Sequence, residues 1–181
     1  DCGVGARLSL ALMLGLGAVS LQMFFYSLAS IRFGYAGIAA PWVALSAVSL
    51  AFPGRKKAPQ KPFPGGFTAI EVVFEIIILS QAAYLLSYAL LLPVFGWDAW
   101  HIWLLKAKVF FVEKGVPTGF LLDGTLKYSH QDYPLLVPLS TAWIYTALGA
   151  AEEAAVKVMW PIQFLAMINI FHFAAKKAAG A

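Results

Sequence analysis

The residues best placed to do chemistry cluster in one stretch. Asp98 opens the run DAWHIWLLKAKVFFVE, whose other ionisable members are His101, Lys106, Lys108 and Glu113. At about 100° per residue all five fall on one half of a helical wheel, and Ala99, Trp100, Trp103, Leu104, Ala107, Phe110 and Phe111 fill the opposite arc. Such a helix lies in a membrane interface, with its rings at the headgroup boundary and its polar face towards water or a cavity. A carboxylate held there beside apolar walls can act as a general base or a metal ligand, because partial desolvation raises its basicity. Lys106 and Lys108, with His101, can meet a lipid phosphate, and Lys127 is a further cation in the same segment. His130 and Asp132 have i, i+2 spacing in an expected loop, which permits coordination of a divalent metal. Plainer readings stand beside these: an anchoring helix, snorkelling lysines, a surface histidine and a satisfied loop carboxylate.

Two more carboxylates sit in apolar sequence. Glu71 and Glu75 share one face of an expected span at i and i+4, with Glu75 a turn deeper. An intramembrane carboxylate is costly, so Glu75 reads as a proton or ion site or as the partner of a cation on another helix. Glu71 is close enough in sequence to Arg55, Lys56 and Lys61 to form an interfacial ion pair. His172 and Asn169, near the end of the last apolar stretch, read as hydrogen-bonding groups between helices.

The elements that must position these groups follow from hydropathy. Uncharged or nearly uncharged stretches at 8–29, 36–52, 67–95, 135–151 and 158–173 are read as five spans. The first is about 33 Å long as a helix, which matches the hydrocarbon core. Between the second and third, 53–66 holds four prolines, three glycines and the cations Arg55, Lys56, Lys57 and Lys61, so it is a basic loop. The segment 96–134 is the one substantial extramembrane stretch. Its lysines are offset by Asp98, Glu113, Asp123 and Asp132, whereas the compact loop carries no acid, so 96–134 is placed on the outer side. The expected class is therefore all-α: a polytopic membrane domain over 1–181, with an interfacial amphipathic helix between the third and fourth spans. The chain opens on Asp1, and a reading as part of a longer protein stays open.

Composition excludes most other classes. Of 181 residues 61% are hydrophobic and 12% charged, with mean hydropathy +0.76, against roughly 25% charged in a soluble domain. The chain is read as an integral membrane protein. Fourteen Phe, six Trp and the lone Cys2 rule out disorder and a disulfide scaffold. The net charge of +4 is spread along the chain and fits contact with anionic membrane lipid, not nucleic acid. No phosphate-binding glycine loop, GxSxG, HExxH or CxxC pattern occurs.

The stretch Gly96-Trp97-Asp98-Ala99-Trp100, the run Ile102 to Lys108, and His130-Gln131-Asp132-Tyr133-Pro134-Leu135-Leu136-Val137-Pro138-Leu139 carry a resemblance. Together they resemble the first extracytoplasmic loop of GT-C superfamily glycosyltransferases, in particular the family 39, protein O-mannosyltransferase-like and aminoarabinose-transferase-like branch. The resemblance covers about residues 95–145 and implies the N-terminal portion of a bacterial inner-membrane enzyme. Such enzymes take a sugar from a polyprenyl-phosphate donor with inversion. It further implies Asp98 as catalytic base, with Asp132 near the donor phosphate or a divalent metal. Lys106, Lys108, Lys127 or a metal near His130 and Asp132 would then bear the charge of the leaving phosphate. Two rival readings remain open: a non-catalytic transmembrane subunit clamped to partner subunits by its aromatic helix, and a transporter centred on Glu75.

Overall fold

The computed structural model describes residues 3–52 and 68–178, so the basic loop 53–66 and Cys2 lie outside the described residues. Every regular element among the described residues is helical: α1 (Val4–Leu28), α2 (Tyr35–Ala51), α3 (Ala69–Leu91), a π-helical turn (Ala99–Leu104) running into α4 (Leu105–Glu113), α5 (Thr118–Leu122), a 3₁₀ turn (Gly124–Ser129), α6 (Leu136–Leu148) and α7 (Glu153–Ala178). Three of them, α1, α3 and α7, are long and apolar enough to cross a membrane. The chain is thus an all-helical membrane protein with three candidate spans. The stretches expected as second and fourth spans form shorter apolar helices of 17 and 13 residues. At 1.5 Å per residue these reach only about 25 and about 20 Å. α6 stops short of 151 because Gly149 turns left-handed (φ 71) and closes the helix.

The chain divides into two units, and α1 and α7 contribute residues to both. One comprises Gly15–Pro53 with Pro93–Val156. Its core gathers Met23, Ile38, Phe110, Leu139 and Ala142 from α1, α2, α4 and α6, with Phe33 from the connection between α1 and α2. A second cluster, Leu104, Ala107, Tyr145 and Val156, joins the π turn and α4 to α6 and the start of α7. Apolar helices need polar contacts to fix their register where lipid competes with apolar packing. Here the hydroxyl oxygens of Ser20 and Ser140 lie 2.9 Å apart, so one donates to the other while the accepting hydroxyl donates to the carbonyl four residues back on its own helix.

The α1–α2 pair shows how one proline is accommodated. Pro41 has no N–H, so the Gly37 carbonyl four residues earlier loses its helical donor. Tyr26 of α1 supplies the replacement, its hydroxyl donating to Gly37 O at 3.1 Å. Gln22 Nε2 donates to that hydroxyl (2.9 Å) and to Ile38 O, while Gln22 Oε1 accepts from Trp42 Nε1 at 2.6 Å.

The other unit comprises Asp1–Leu14, Gly54–Leu92 and Lys157–Ala181. α3 begins with a capping box: Glu71 N–H donates to Thr68 Oγ1 (3.2 Å) and Thr68 N–H to Glu71 Oε2 (2.8 Å). Asn169 Nδ2 donates to Ser9 Oγ at 3.1 Å, and a Cβ at Gly5 would come within 2.9 Å of that amide, so a larger residue there would have to push the amide aside. Lys157 Nζ donates to Leu92 O, closing the end of α3.

The Tyr26–Pro41 relationship predicts a specific coupling. Tyr26→Phe should destabilise the detergent-solubilised protein by about 1 kcal/mol, because it leaves the Gly37 carbonyl unpaired. In a Pro41→Ala background, where the helix regains its own donor, the same change should cost much less. A double-mutant cycle on unfolding midpoints measures this difference.

Candidate functional site

The candidate site is the folded segment between Pro93 and Pro134. Its first turn is π-helical, not α-helical, and this changes which side chains face inward. Wider i→i+5 turns rotate each residue by less than an α-helix does, so every following residue lags behind its place on an α-helical wheel. Lys106, expected on the water-facing arc with Asp98, is instead fully buried, along with Ile102, Leu104, Ala107 and Phe110. Trp97 and Trp100, by contrast, are exposed at 62% and 43%.

Asp98 occupies the N-terminal flank of the π turn with helical dihedrals (φ −61, ψ −39). Its side chain is exposed and caps nothing. One turn on, the His101 ring stacks on Trp97 with centroids 3.6 Å apart and meets Tyr128 edge-on at 6.0 Å. That second contact seats the π turn of Asp98 against the 3₁₀ turn that carries Lys127, which is exposed. The 3₁₀ turn has its own start signal, since Asp123 Oδ1 accepts from Thr125 N–H (2.9 Å) and Thr125 Oγ1 (2.6 Å). These bonds, the hydroxyl's first, hold the Asp123 carboxyl below its usual range.

Lys106 is the centre of the site. Its ammonium donates to the backbone carbonyl of His130 and lies 5.7 and 5.5 Å from the ring centres of Trp103 and Tyr133. His130 adopts a left-handed backbone (φ 46), and its ring stacks on Tyr133 at 4.5 Å. Gln131 anchors the same turn, its amide donating to Phe120 O (3.0 Å) and Asp123 O (2.8 Å). Among the described residues Lys106 forms no ion pair. Burial pushes its amine below the ordinary lysine range, and the charge of Asp132 opposes that shift in part.

The remaining candidates separate. Lys108 is paired with Glu153 at 2.6 Å and lies 4.7 Å over the Trp100 ring. His130 and Asp132 sit on one turn, but among the described residues no group of three His, Cys, Asp or Glu side chains gathers to hold a metal. Glu71 and Glu75 belong to the other unit, where they line a cavity of about 600 Å³ with Phe74, Ile78, Phe171 and His172. Glu71 pairs with Lys176 at 3.4 Å. Its expected partners in the basic loop lie outside the described residues. Reading the residues in order missed Glu153 and Gln131 as supports: the first is 45 positions from its lysine, and the second is a neutral amide whose role is purely geometric.

Comparison with protein-family models, with curated proteins and with solved structures returned no match.

The buried amine predicts a pH signature. A lysine whose folded-state pKa lies below its ordinary 10.5 is bound by more protons in the unfolded chain across that interval, so stability rises with pH there. Thermal midpoints of the wild type should climb as pH approaches 10.5 from below, and Lys106→Met should flatten that climb relative to the wild type.

Proposed function

We propose that the chain is the membrane-embedded N-terminal module of a glycosyltransferase that takes a sugar from a polyprenyl-phosphate donor and inverts its anomeric centre. The observation that carries this reading is the latch from Lys106 to the His130 carbonyl. It joins the helix that begins at Asp98 to the turn that ends in Asp132-Tyr133-Pro134, so both exposed carboxylates belong to one rigid piece. The resemblance rests on these same two stretches.

In this reading the acceptor hydroxyl attacks the anomeric carbon and passes its proton to the Asp98 carboxylate. The bond from that carbon to the phosphate oxygen breaks, and polyprenyl phosphate leaves with the electron pair. Lys127, exposed on the neighbouring turn, is the cation free to meet the departing phosphate. Lys106 and Lys108 act differently from Lys127: the first positions the 130–133 turn, and the second braces the helix on Glu153. Asp132 faces the donor from the turn. No step is routed through a metal.

The same reading places α1, α3 and α7 across a bacterial inner membrane and lets α2 and α6, extended by their flanking residues, complete five spans. The 96–134 segment then faces outward, with Trp97 and Trp100 in the headgroup region.

The test uses the full-length protein in proteoliposomes with a polyprenyl-phosphate sugar, following release of polyprenyl phosphate. Asp98→Asn should lower turnover by about 10²–10⁴-fold, the range general-base removal produces, with insertion and thermal midpoint unchanged. Lys127→Gln should lower it less. Full turnover in Asp98→Asn would remove the mechanism.

A further inference from the structure

A polar cavity distinct from the residues above lies where α1 and α4 end. It measures about 260 Å³ and is lined by Ser27, Ser30, Arg32, Glu113, Lys114 and Thr118 among others. Both helices stop there in the same way. Ile31 N–H bonds back to Tyr26 O (2.8 Å) past Ser30 (φ 58), and Gly115 N–H bonds back to Phe110 O (3.1 Å) past Lys114 (φ 54). This is the Schellman type of helix end, whose left-handed position glycine fills at least cost. A non-glycine residue there carries backbone strain. Gly115 is the very next residue, yet the left-handed position is held by a lysine.

Rigid crosslinks fix the two helix ends as the cavity walls. Phe33 N–H donates to Lys114 O at 2.7 Å, and Ser27 Oγ accepts from Val116 N–H at 2.8 Å while donating to Val116 O. The remaining polar groups are unused. Among the described residues the guanidinium of Arg32, the ammonium of Lys114 and the hydroxyls of Ser30 and Thr118 have no hydrogen-bond or ion-pair partner. Because backbone N–H groups already cap both helix ends, the two cations are not needed there as caps. Four donors therefore face one cavity with a single acid, Glu113, and one positive charge in excess.

We propose that this cavity binds the phosphodiester headgroup of an anionic membrane lipid. Two cations and two hydroxyls match the oxygens of a singly charged phosphodiester, with Arg32 able to engage two of them at once. Glu113 accepts from a hydroxyl farther out on the headgroup. The source is lipid because α1, a candidate span, ends at Leu28, so the cavity opens where a crossing helix leaves the hydrocarbon. The site uses neither Asp98 nor the 130–133 turn, and it stands or falls separately from the catalytic reading.

The test is native mass spectrometry of the full chain in detergent with phosphatidylglycerol added. The wild type should retain one phosphatidylglycerol and at least about tenfold less phosphatidylcholine. Arg32→Gln should cut phosphatidylglycerol retention at least about tenfold, and Glu113→Gln should raise it. Lys114→Gly is the decisive variant, since it removes the charge and relieves the left-handed strain: retention should fall while the thermal midpoint holds or rises. Lys177→Ala, an exposed cation elsewhere, should change nothing. Equal retention of phosphatidylglycerol by Lys114→Gly, Arg32→Gln and the wild type overturns the site. Complete displacement by millimolar inorganic phosphate overturns the lipid assignment in favour of a free anion.

Discussion

A single ammonium group organises the folded segment between Pro93 and Pro134. Lys106 is removed from water, and a buried charge without compensation is among the costliest features a fold can carry. Its compensation is a backbone carbonyl and two aromatic faces, with a carboxylate near enough to act through space but not to pair. That choice has a structural effect a salt bridge would lack. A carbonyl is part of the chain, so satisfying the ammonium fixes the path of residues 130–133 themselves and not merely a side chain. The left-handed His130, the Gln131 bonds and the His130–Tyr133 stack all follow from holding that carbonyl in place.

Seven cations among the described residues fall into two kinds. Lys106, Lys108, Lys157 and Lys176 are spent inside the protein, on carbonyls or carboxylates. Arg32, Lys114 and Lys127 face outward from turns on the unit that holds the aromatic helix. The first kind fixes how segments meet. The second leaves positive charge available where helices end, the place at which phosphate-bearing molecules are met in a membrane. Both proposed binding roles depend on this second kind.

Much of the helical layout was legible because it rests on burial of backbone polar groups, which apolar stretches of sufficient length announce. The first span expected at 8–29 is Val4–Leu28, and the third expected at 67–95 is Ala69–Leu91. The last apolar stretch proved longer than 158–173, running Glu153–Ala178, because its charged ends lie on the helix and not beyond it. The interior of the 96–134 segment was less legible. A wheel assumes constant pitch, and the π turn breaks that assumption before Lys106 is reached. Distant partnerships such as Lys108 with Glu153 leave no local trace either. The residues singled out for chemistry sort accordingly: Asp98, Lys127 and Asp132 are exposed, Lys106 is a buried strut, and Glu75 lies in a different unit.

The proline-bearing hairpin near the N-terminus has a consequence for biogenesis. Tyr26 and Gln22 precede Pro41 in the chain, so during synthesis the hydroxyl and amide that repair the broken ladder already exist when α2 emerges. α2 thus emerges as an incomplete helix whose missing donor is carried by its predecessor, which makes the pair, rather than either segment alone, the unit that folds.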